Sequence, residues 1–181
     1  EKEYLKIELM PLQSLLLVFD NQTDGECKTR EILQKEVLKI EGPWQAEFIH
    51  VNGNMFVRTF NSLNEFGTSE DAELNSFAGT VKYLTEFISD GKGKWLKLEE
   101  VNKGITEIYI NGEKAGVNWY GLPVFRIDNL LKTGKNSIEI IHTTLLSNYV
   151  MSLKQNPSAV RWTTGYQKMP AGIDGNVLIL K

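Results

Sequence analysis

The chain has 181 residues, of which 41% are hydrophobic and 24% charged, and its formal net charge is -3. These are ordinary values for a globular domain, and the slight acidic excess argues against a nucleic-acid-binding surface, which needs clustered basic residues. No apolar run approaches the roughly 20 residues of a membrane-spanning helix, and the single cysteine, Cys27, excludes an internal disulfide and a paired-cysteine zinc site.

The pattern of the first 30 residues predicts a β-hairpin followed by a linker. Two strand-like runs, residues 4–9 and 14–19, are separated by a short turn, and a polar stretch follows them. The chain begins at Glu1 without an initiator methionine and enters a strand pattern almost at once. We therefore expect residues 1–30 to be the remnant of a preceding β-domain in a longer polypeptide, and residues 31–181 to form one domain.

The sequence after the linker predicts a series of short strands. Alternation of apolar and polar residues with a period of two predicts strands at residues 36–40, 44–51, 55–60, 77–87 and 95–101. No long stretch has the 3.6-residue periodicity of an amphipathic helix. Many short strands, with turns about every 8–12 residues and no alternation with helices, favour an all-β fold, either a sandwich or a jelly roll.

The stretch 95–140 gives the strongest prediction of local structure. It is divided by turn residues into five short strands, and Asn111-Gly112 lies between two of them. Asn-Gly is typical of a type I′ hairpin turn because both central residues need positive φ angles. Beyond residue 141 the pattern weakens: it predicts a possible helical turn at 147–153, an aromatic-bearing loop at 158–171 and a closing strand at 173–180.

Several segments carry a resemblance to known domains. They are the opening strand 42–48, the Gly-x-x-x-Tyr strand 77–83, and the stretch 95–140 with its Asn-Gly turn, Trp119 and Pro123. Their order resembles the jelly-roll domains of the galactose-binding-like group that accompany glycoside hydrolases. The end segments 9–19 and 170–180 are similar to the C-terminal β-sandwich region of α-L-rhamnosidase-type glycoside hydrolases.

The resemblance implies a non-catalytic role. In such enzymes the acid and base carboxylates lie on a separate barrel-type domain, and the sandwich packs against that domain and sometimes binds sugar. The implied partners are therefore a glycan, the catalytic domain of the same polypeptide, or both, and the implied location is extracellular or periplasmic. Where these proteins usually carry an Asn-Arg pair, this chain has Ser147-Asn148-Tyr149, so the polar contacts of that arginine are not expected here.

We find no catalytic pair in the sequence. Glycoside hydrolysis uses two carboxyl groups about 5–5.5 Å or 6.5–9.5 Å apart. Glu99 and Glu100 are adjacent, but neighbours on a strand point to opposite faces of the sheet. Solvated surface charges are the alternative explanation for this pair, although a small free-standing glycosidase remains an alternative hypothesis.

We also expect no cofactor. The acidic loop at 61–75 could hold a structural calcium ion through oxygen ligands, although its spacing matches no EF-hand and solvated charges explain it equally; its acidic residues are Glu65, Glu70, Asp71 and Glu73. His50 and His142 have no partner at metal-ligand spacing.

Two aromatic groups are candidate sugar-binding sites, because flat rings stack on sugar C–H faces while neighbouring polar groups contact hydroxyls. Loops at sheet edges are the usual position of such groups. The first group is Asn118, Trp119 and Tyr120, and the second is Arg161, Trp162 and Tyr166.

Structural roles are the alternative for each tryptophan. Trp119 could close the end of the sandwich beneath Pro123, and Trp162 could dock on a neighbouring domain. Trp44 and Trp95 begin strands, so we expect them in the core. The sequence thus favours a non-catalytic accessory module of a carbohydrate-active enzyme, and the alternatives are an autonomous carbohydrate-binding module and a small glycosidase.

Overall fold

The computed structural model describes Ile7, Leu9, residues 14–18 and residues 36–181. Most of the predicted N-terminal hairpin and the linker lie outside the described residues. Residues 14–18, which belong to the second predicted strand, are described, and they are exposed and not part of a strand. The division of the chain at residue 30 stays a prediction.

The described residues from 36 onward form ten strands and three short helices. In chain order they are β1 (Glu36–Ile40), β2 (Trp44–His50), β3 (Met55–Phe60), α1 (Ala72–Asn75), β4 (Gly79–Asp90), β5 (Trp95–Asn102), β6 (Gly104–Ile110), β7 (Glu113–Asn118), β8 (Val124–Arg126), β9 (Thr133–Thr144), α2 (Ser147–Ser152), α3 (Pro157–Thr163) and β10 (Gly172–Leu180).

The strands form two antiparallel sheets. One has four strands in the order β1-β10-β5-β8, and the other has six in the order β3-β2-β4-β9-β6-β7. Buried side chains from both sheets form one hydrophobic core. This arrangement confirms the predicted all-β sandwich.

The core follows from the alternation within each strand. Phe48, Ile108 and Ile140 point inward from the six-stranded sheet, while Leu96 and Leu98 point inward from the four-stranded sheet, and all five are fully buried. Each such side chain contributes about 1.5–3 kcal/mol through burial.

Two tryptophans were expected in this core, and one of them lies there. Trp44 is buried as predicted. Trp95 is only half-buried, because its neighbour Leu96 takes the inward position and successive side chains of a strand alternate between faces.

The predicted strands of the stretch 95–140 are all present as β5 to β9. Asn111 and Gly112 connect β6 to β7 with φ angles of 53° and 82°, the left-handed values that a type I′ turn requires. The Asn111 side chain also donates to the carbonyl of Leu130 and the Oδ1 of Asn136, both at 2.9 Å. The turn is therefore connected to the β8–β9 loop as well as to its own hairpin.

The structure corrects two predicted elements. The strand predicted at 77–87 begins at Gly79 and ends at Asp90. The aromatic-bearing loop predicted at 158–171 contains α3, because Asn156 caps this helix by accepting from the backbone N–H groups of Ser158 and Ala159. Pro157 at the first helical position also favours the helix, because its fixed φ suits that position. The turn predicted at 147–153 is present as α2.

Three connections meet at one end of the sandwich. Thr106 of β6 lies opposite both Asn118 at the end of β7 and His142 near the end of β9. His50 at the end of β2 pairs with Gly79, whose N–H donates to Thr144 at the end of β9. The connections that leave these three strands are therefore at the same end. We call residues 51–54, 119–123 and 145–171 the loop end.

Candidate carbohydrate-binding and docking surface

The β7–β8 connection presents two exposed aromatic rings. Trp119 is 75% exposed and Tyr120 60% exposed, and their ring centroids are 5.9 Å apart with the planes tilted by 39°. The Asn118 side-chain amide donates to the backbone carbonyls of Tyr120 at 2.9 Å and Leu122 at 3.2 Å. Asn118 thus fixes the path of the loop, and the two rings project from it into solvent.

The alternative role for Trp119, closing the sandwich beneath Pro123, is wrong. Pro123 itself is buried, and its carbonyl accepts from the backbone N–H of Leu98 at 3.0 Å. The backbone of the loop therefore contacts β5 through Pro123, and the indole of Trp119 is left in solvent.

The second aromatic group lies on and after α3. Trp162 is 74% exposed and Tyr166 is 72% exposed. The Arg161 guanidinium carbon is 6.0 Å from the centroid of the Trp162 ring, at the outer limit of a cation–π contact. A polar cation and a flat ring are therefore presented together on an exposed helix.

The two aromatic groups lie at the loop end but do not form one described platform. Trp119 and Tyr120 follow β7, whereas Trp162 and Tyr166 lie in the excursion between β9 and β10. Among the described residues, no ring contact joins one group to the other. The structure thus brings them to the same end of the molecule on separate segments.

The loop end also exposes aliphatic side chains. Besides the four aromatic residues, its exposed large hydrophobic residues are Val51, Leu122, Leu145, Leu146 and Val160. Scattered exposed hydrophobic residues are normal on a monomer, whereas a contiguous apolar patch of several hundred Å² is typical of an interaction surface.

Asn148 anchors the β9–β10 excursion, and sequence reasoning missed this role. Its side chain is 3% exposed and donates to the carbonyls of Gly67 at 3.1 Å and Met169 at 2.8 Å. It also accepts from the Met169 backbone N–H at 2.9 Å. Asn148 therefore connects α2, the long loop after β3 and the segment before β10. No local pattern marks such contacts, because both partners are distant in sequence.

Glu99 stabilises an irregularity in β10. The β5–β10 register shifts between Asp174 and Val177, and Glu99 Oε2 accepts from the Asn176 backbone N–H at 2.9 Å. This hydrogen bond lowers the pKa of Glu99. Gly175, within this irregularity, has a φ of +84°, a left-handed value that favours glycine. Glu99 thus has a structural partner and is exposed rather than enclosed in a catalytic pocket.

The acidic loop distributes its carboxylates among separate partners. Glu65 accepts from the backbone and the hydroxyl of Thr68. Asp71 caps α1 by accepting from the Glu73 N–H at 2.9 Å, and Glu73 forms an ion pair with Arg58. Within residues 7, 9, 14–18 and 36–181, no group of three or more His, Cys, Asp or Glu side chains is arranged to hold a metal ion.

The two histidines are structural as well. His142 is buried and its Nδ1 lies 2.9 Å from the Thr106 hydroxyl. Its burial lowers its pKa from 6.5 to about 4. His50 Nδ1 accepts from the Asn52 N–H at 3.1 Å, and its ring packs edge-on against Phe77.

Comparison with known proteins identifies solved structures that have a similar fold. No protein-family profile matches the chain. A rhamnosidase from Novosphingobium sp. PP1Y has a similar structure, with a TM-score of 0.70 and 20% identity over 85% of this chain. A β-D-mannosidase from Dictyoglomus thermophilum gives a TM-score of 0.52 over 81% of the chain with 20% identity. A β-glucuronidase from Ruminococcus gnavus gives 0.51 over 79% with 14% identity.

The chain shares a β-sandwich fold with parts of these glycosidases. At the sequence level, a Formosa agariphila protein named "Putative beta-glucuronidase" is 28% identical over 127 residues, or 66% of this chain. The chain spans 11% of that protein, 16% of the rhamnosidase and 22% of the mannosidase. This sandwich is thus comparable to one part of much longer glycosidases. In the described part of the chain, no helix has the length and apolarity needed to cross a membrane.

Proposed function

We propose that this sandwich is a non-catalytic accessory module of a carbohydrate-active enzyme and that it docks through its loop end on another domain of the same polypeptide. The observation that carries the proposal is the concentration of exposed apolar and aromatic side chains at the loop end. The fold supports a place within a carbohydrate-active enzyme, because similar sandwiches form 16–29% of longer glycosidase chains. An extracellular or periplasmic location belongs to the same proposal.

The chemistry of the loop end suits a protein partner. Leu145 and Leu146 are 45% and 54% exposed and directly precede α2, while Trp162 projects from α3. Aromatic side chains, together with arginine such as Arg161, are enriched at protein interfaces. Burying these side chains would remove apolar area from water at about 25 cal/mol per Å².

The docking proposal is tested by labelling side chains with hydroxyl radicals and locating the oxidised positions by mass spectrometry. The isolated chain is compared with the native polypeptide purified from its source cells. We expect oxidation of Leu145 and Trp162 to fall severalfold in the native polypeptide, because contact excludes solvent. Ile88, which is exposed on the six-stranded sheet away from the loop end, is the internal control. Equal oxidation of Leu145 and Trp162 in both samples would overturn docking.

The absence of catalysis is tested separately. The purified chain is incubated with aryl α-L-rhamnosides, β-glucuronides and β-mannosides, and release of the phenol is followed. We expect no release above the uncatalysed rate. Turnover that copurifies with the chain and disappears in Glu99→Gln or Glu100→Gln would establish the small-glycosidase alternative instead.

Trp119 and Tyr120 support a second candidate function, an autonomous carbohydrate-binding module. Two exposed rings on a loop fixed by Asn118 form a small preorganised surface, and preorganisation lowers the entropic cost of binding. Calorimetry against a panel of neutral and acidic oligosaccharides tests this function with Trp119→Ala as the matched variant. Loss of the binding heat in Trp119→Ala supports it, and no heat with any sugar at millimolar concentration excludes it.

A further inference from the structure

A groove crosses the outer face of the six-stranded sheet, away from the loop end. Its volume is about 730 Å³. Gln45, Leu84 and Glu139 line it and point away from the core. Their chain neighbours Ala46, Tyr83 and Ile140 are buried on the inner face. Pro43 and Gly112 of the β6–β7 turn also line it.

The lining residues form a row across four strands. Thr59 pairs with Gln45, Gln45 with Leu84, and Leu84 with Glu139. Neighbouring strands are about 4.8 Å apart, so the row is roughly 14 Å long. Such a row runs across the strands and accommodates an extended ligand rather than a compact one.

The polar groups of the groove are available to a ligand. Within the part of the chain that the structure describes, the side chains of Gln45, Thr59, Ser137 and Glu139 have no hydrogen bond or ion pair to the protein. Amide and hydroxyl groups both donate and accept, whereas the carboxylate of Glu139 accepts. Leu84 and Val57 supply apolar surface between these groups.

The charge of the groove restricts the ligand further. The two charged residues of the lining, Glu86 and Glu139, are acidic, and Glu86 pairs with Lys135 at 2.8 Å. Among the residues that the structure describes, no cation pairs with the carboxylate of Glu139, which lines the groove and disfavours uronic acid or sulfate groups. A hydroxyl-rich neutral chain matches the alternation of polar and apolar groups, because each sugar ring offers hydroxyl donors and acceptors beside C–H faces.

We infer that this groove binds a short stretch of neutral polysaccharide. The inference depends on the proposed carbohydrate-active setting but uses a surface separate from the loop end. The lining has no aromatic ring, so binding is weak, with a dissociation constant on the order of 1 mM.

The experiment is a nitrogen–proton NMR titration of the whole chain with neutral hexasaccharides of glucose, xylose, mannose and galactose, and with a galacturonic acid hexamer. We expect at least one neutral hexamer to shift the backbone signals of Gln45, Leu84 and Glu139. The acidic hexamer is expected to bind about tenfold more weakly, a difference that one unfavourable charge contact can produce.

Matched variants assign the site. Glu139→Ala is expected to weaken binding about tenfold, as is usual when a hydrogen bond to a charged group is lost. Glu139→Gln keeps the side-chain volume, so it separates loss of the charge from a folding defect. Trp119→Ala, at the loop end, is expected to leave the groove signals unchanged. A titration in which no neutral hexamer shifts these signals, or in which all shifts lie at residues 118–122, overturns the inference. The first result leaves docking of the loop end untouched, and the second supports the binding-module function.

Discussion

A buried asparagine connects the β9–β10 excursion to the rest of the sandwich. Asn148 makes three hydrogen bonds to backbone groups of Gly67 and Met169. We predict that Asn148→Ala lowers the free energy of unfolding by about 2–4 kcal/mol, because it leaves buried backbone groups without partners. Urea unfolding measures the change, and Gln155→Ala, at an exposed position on the same excursion, is expected to change it by less than about 0.5 kcal/mol. Equal effects of the two substitutions would contradict the anchoring role.

His142 gives the stability of the protein a defined pH dependence. Burial lowers its pKa from 6.5 to about 4, so between these values the unfolded chain binds more protons than the folded chain. The contribution of His142 to the free energy of unfolding is therefore fully present above about pH 6.5. It is lost as the pH falls towards 4, which lowers this free energy by up to about 3 kcal/mol.

The comparison of wild type with His142→Gln isolates this contribution. Urea unfolding is measured at intervals from pH 7 to pH 4.5 for both proteins. We expect the free energy of unfolding to fall more steeply in the wild type, since carboxylates contribute to both proteins and cancel in the difference. Parallel pH profiles would show that His142 does not titrate differently in the two states.

At the scale of elements, the β6–β7 turn joins local and distant contacts. Asn111 has a positive φ of 53° and bonds to Leu130, Asn136 and the backbone N–H of Ser137. We predict that Asn111→Ala destabilises the protein by about 2–4 kcal/mol, from the left-handed backbone and the lost hydrogen bonds together. Asn52→Ala is the control, because Asn52 lies in another exposed turn and its side chain bonds only locally to Asn54. It is expected to cost less than about 1 kcal/mol; a cost equal to that of Asn111→Ala would refute the distant contribution.

The region around this turn shows which structural features can be predicted from local sequence patterns. The Asn111-Gly112 turn and strands β5 to β9 were predictable, because alternation and turn chemistry are local properties of the chain. The helix α3 was also encoded locally, by Asn156 and Pro157, but the aromatic residues that follow obscured its start. The exact limits of β4 depend on its pairing with β9 over eleven residue pairs from Thr80 to Asp90, and no local signal gives that register.

At the scale of the whole molecule, the two sheets share one core, so we predict a single cooperative unfolding transition for residues 36–181. Trp44 of the six-stranded sheet is buried in the same cluster as Leu96 and Ile179 of the four-stranded sheet. Far-ultraviolet circular dichroism and tryptophan fluorescence should therefore give the same urea midpoint. Midpoints that differ beyond experimental error would show that the sheets unfold separately.

The candidate sites show the limit of sequence reasoning most clearly. The sequence placed Trp119, Tyr120, Trp162 and Tyr166 on loops because turn residues and broken periodicity surround them. It could not show that these segments lie at the same end of the sandwich, since that depends on the pairing of Thr106 with both Asn118 and His142. The groove was not predictable either, because Thr59, Gln45, Leu84 and Glu139 come from four strands.

By itself, the sequence determined the fold class and the main turns, because both follow from spacing along the chain. Only the tertiary structure decided which side chains are buried, exposed or brought together. Trp119 proved to be exposed rather than a plug, Trp95 lay only half in the core, and Asn148 proved to be an anchor. The physical reason is that strand register and sheet order create contacts between residues far apart in sequence, and the free energy of those contacts depends on burial rather than on local pattern.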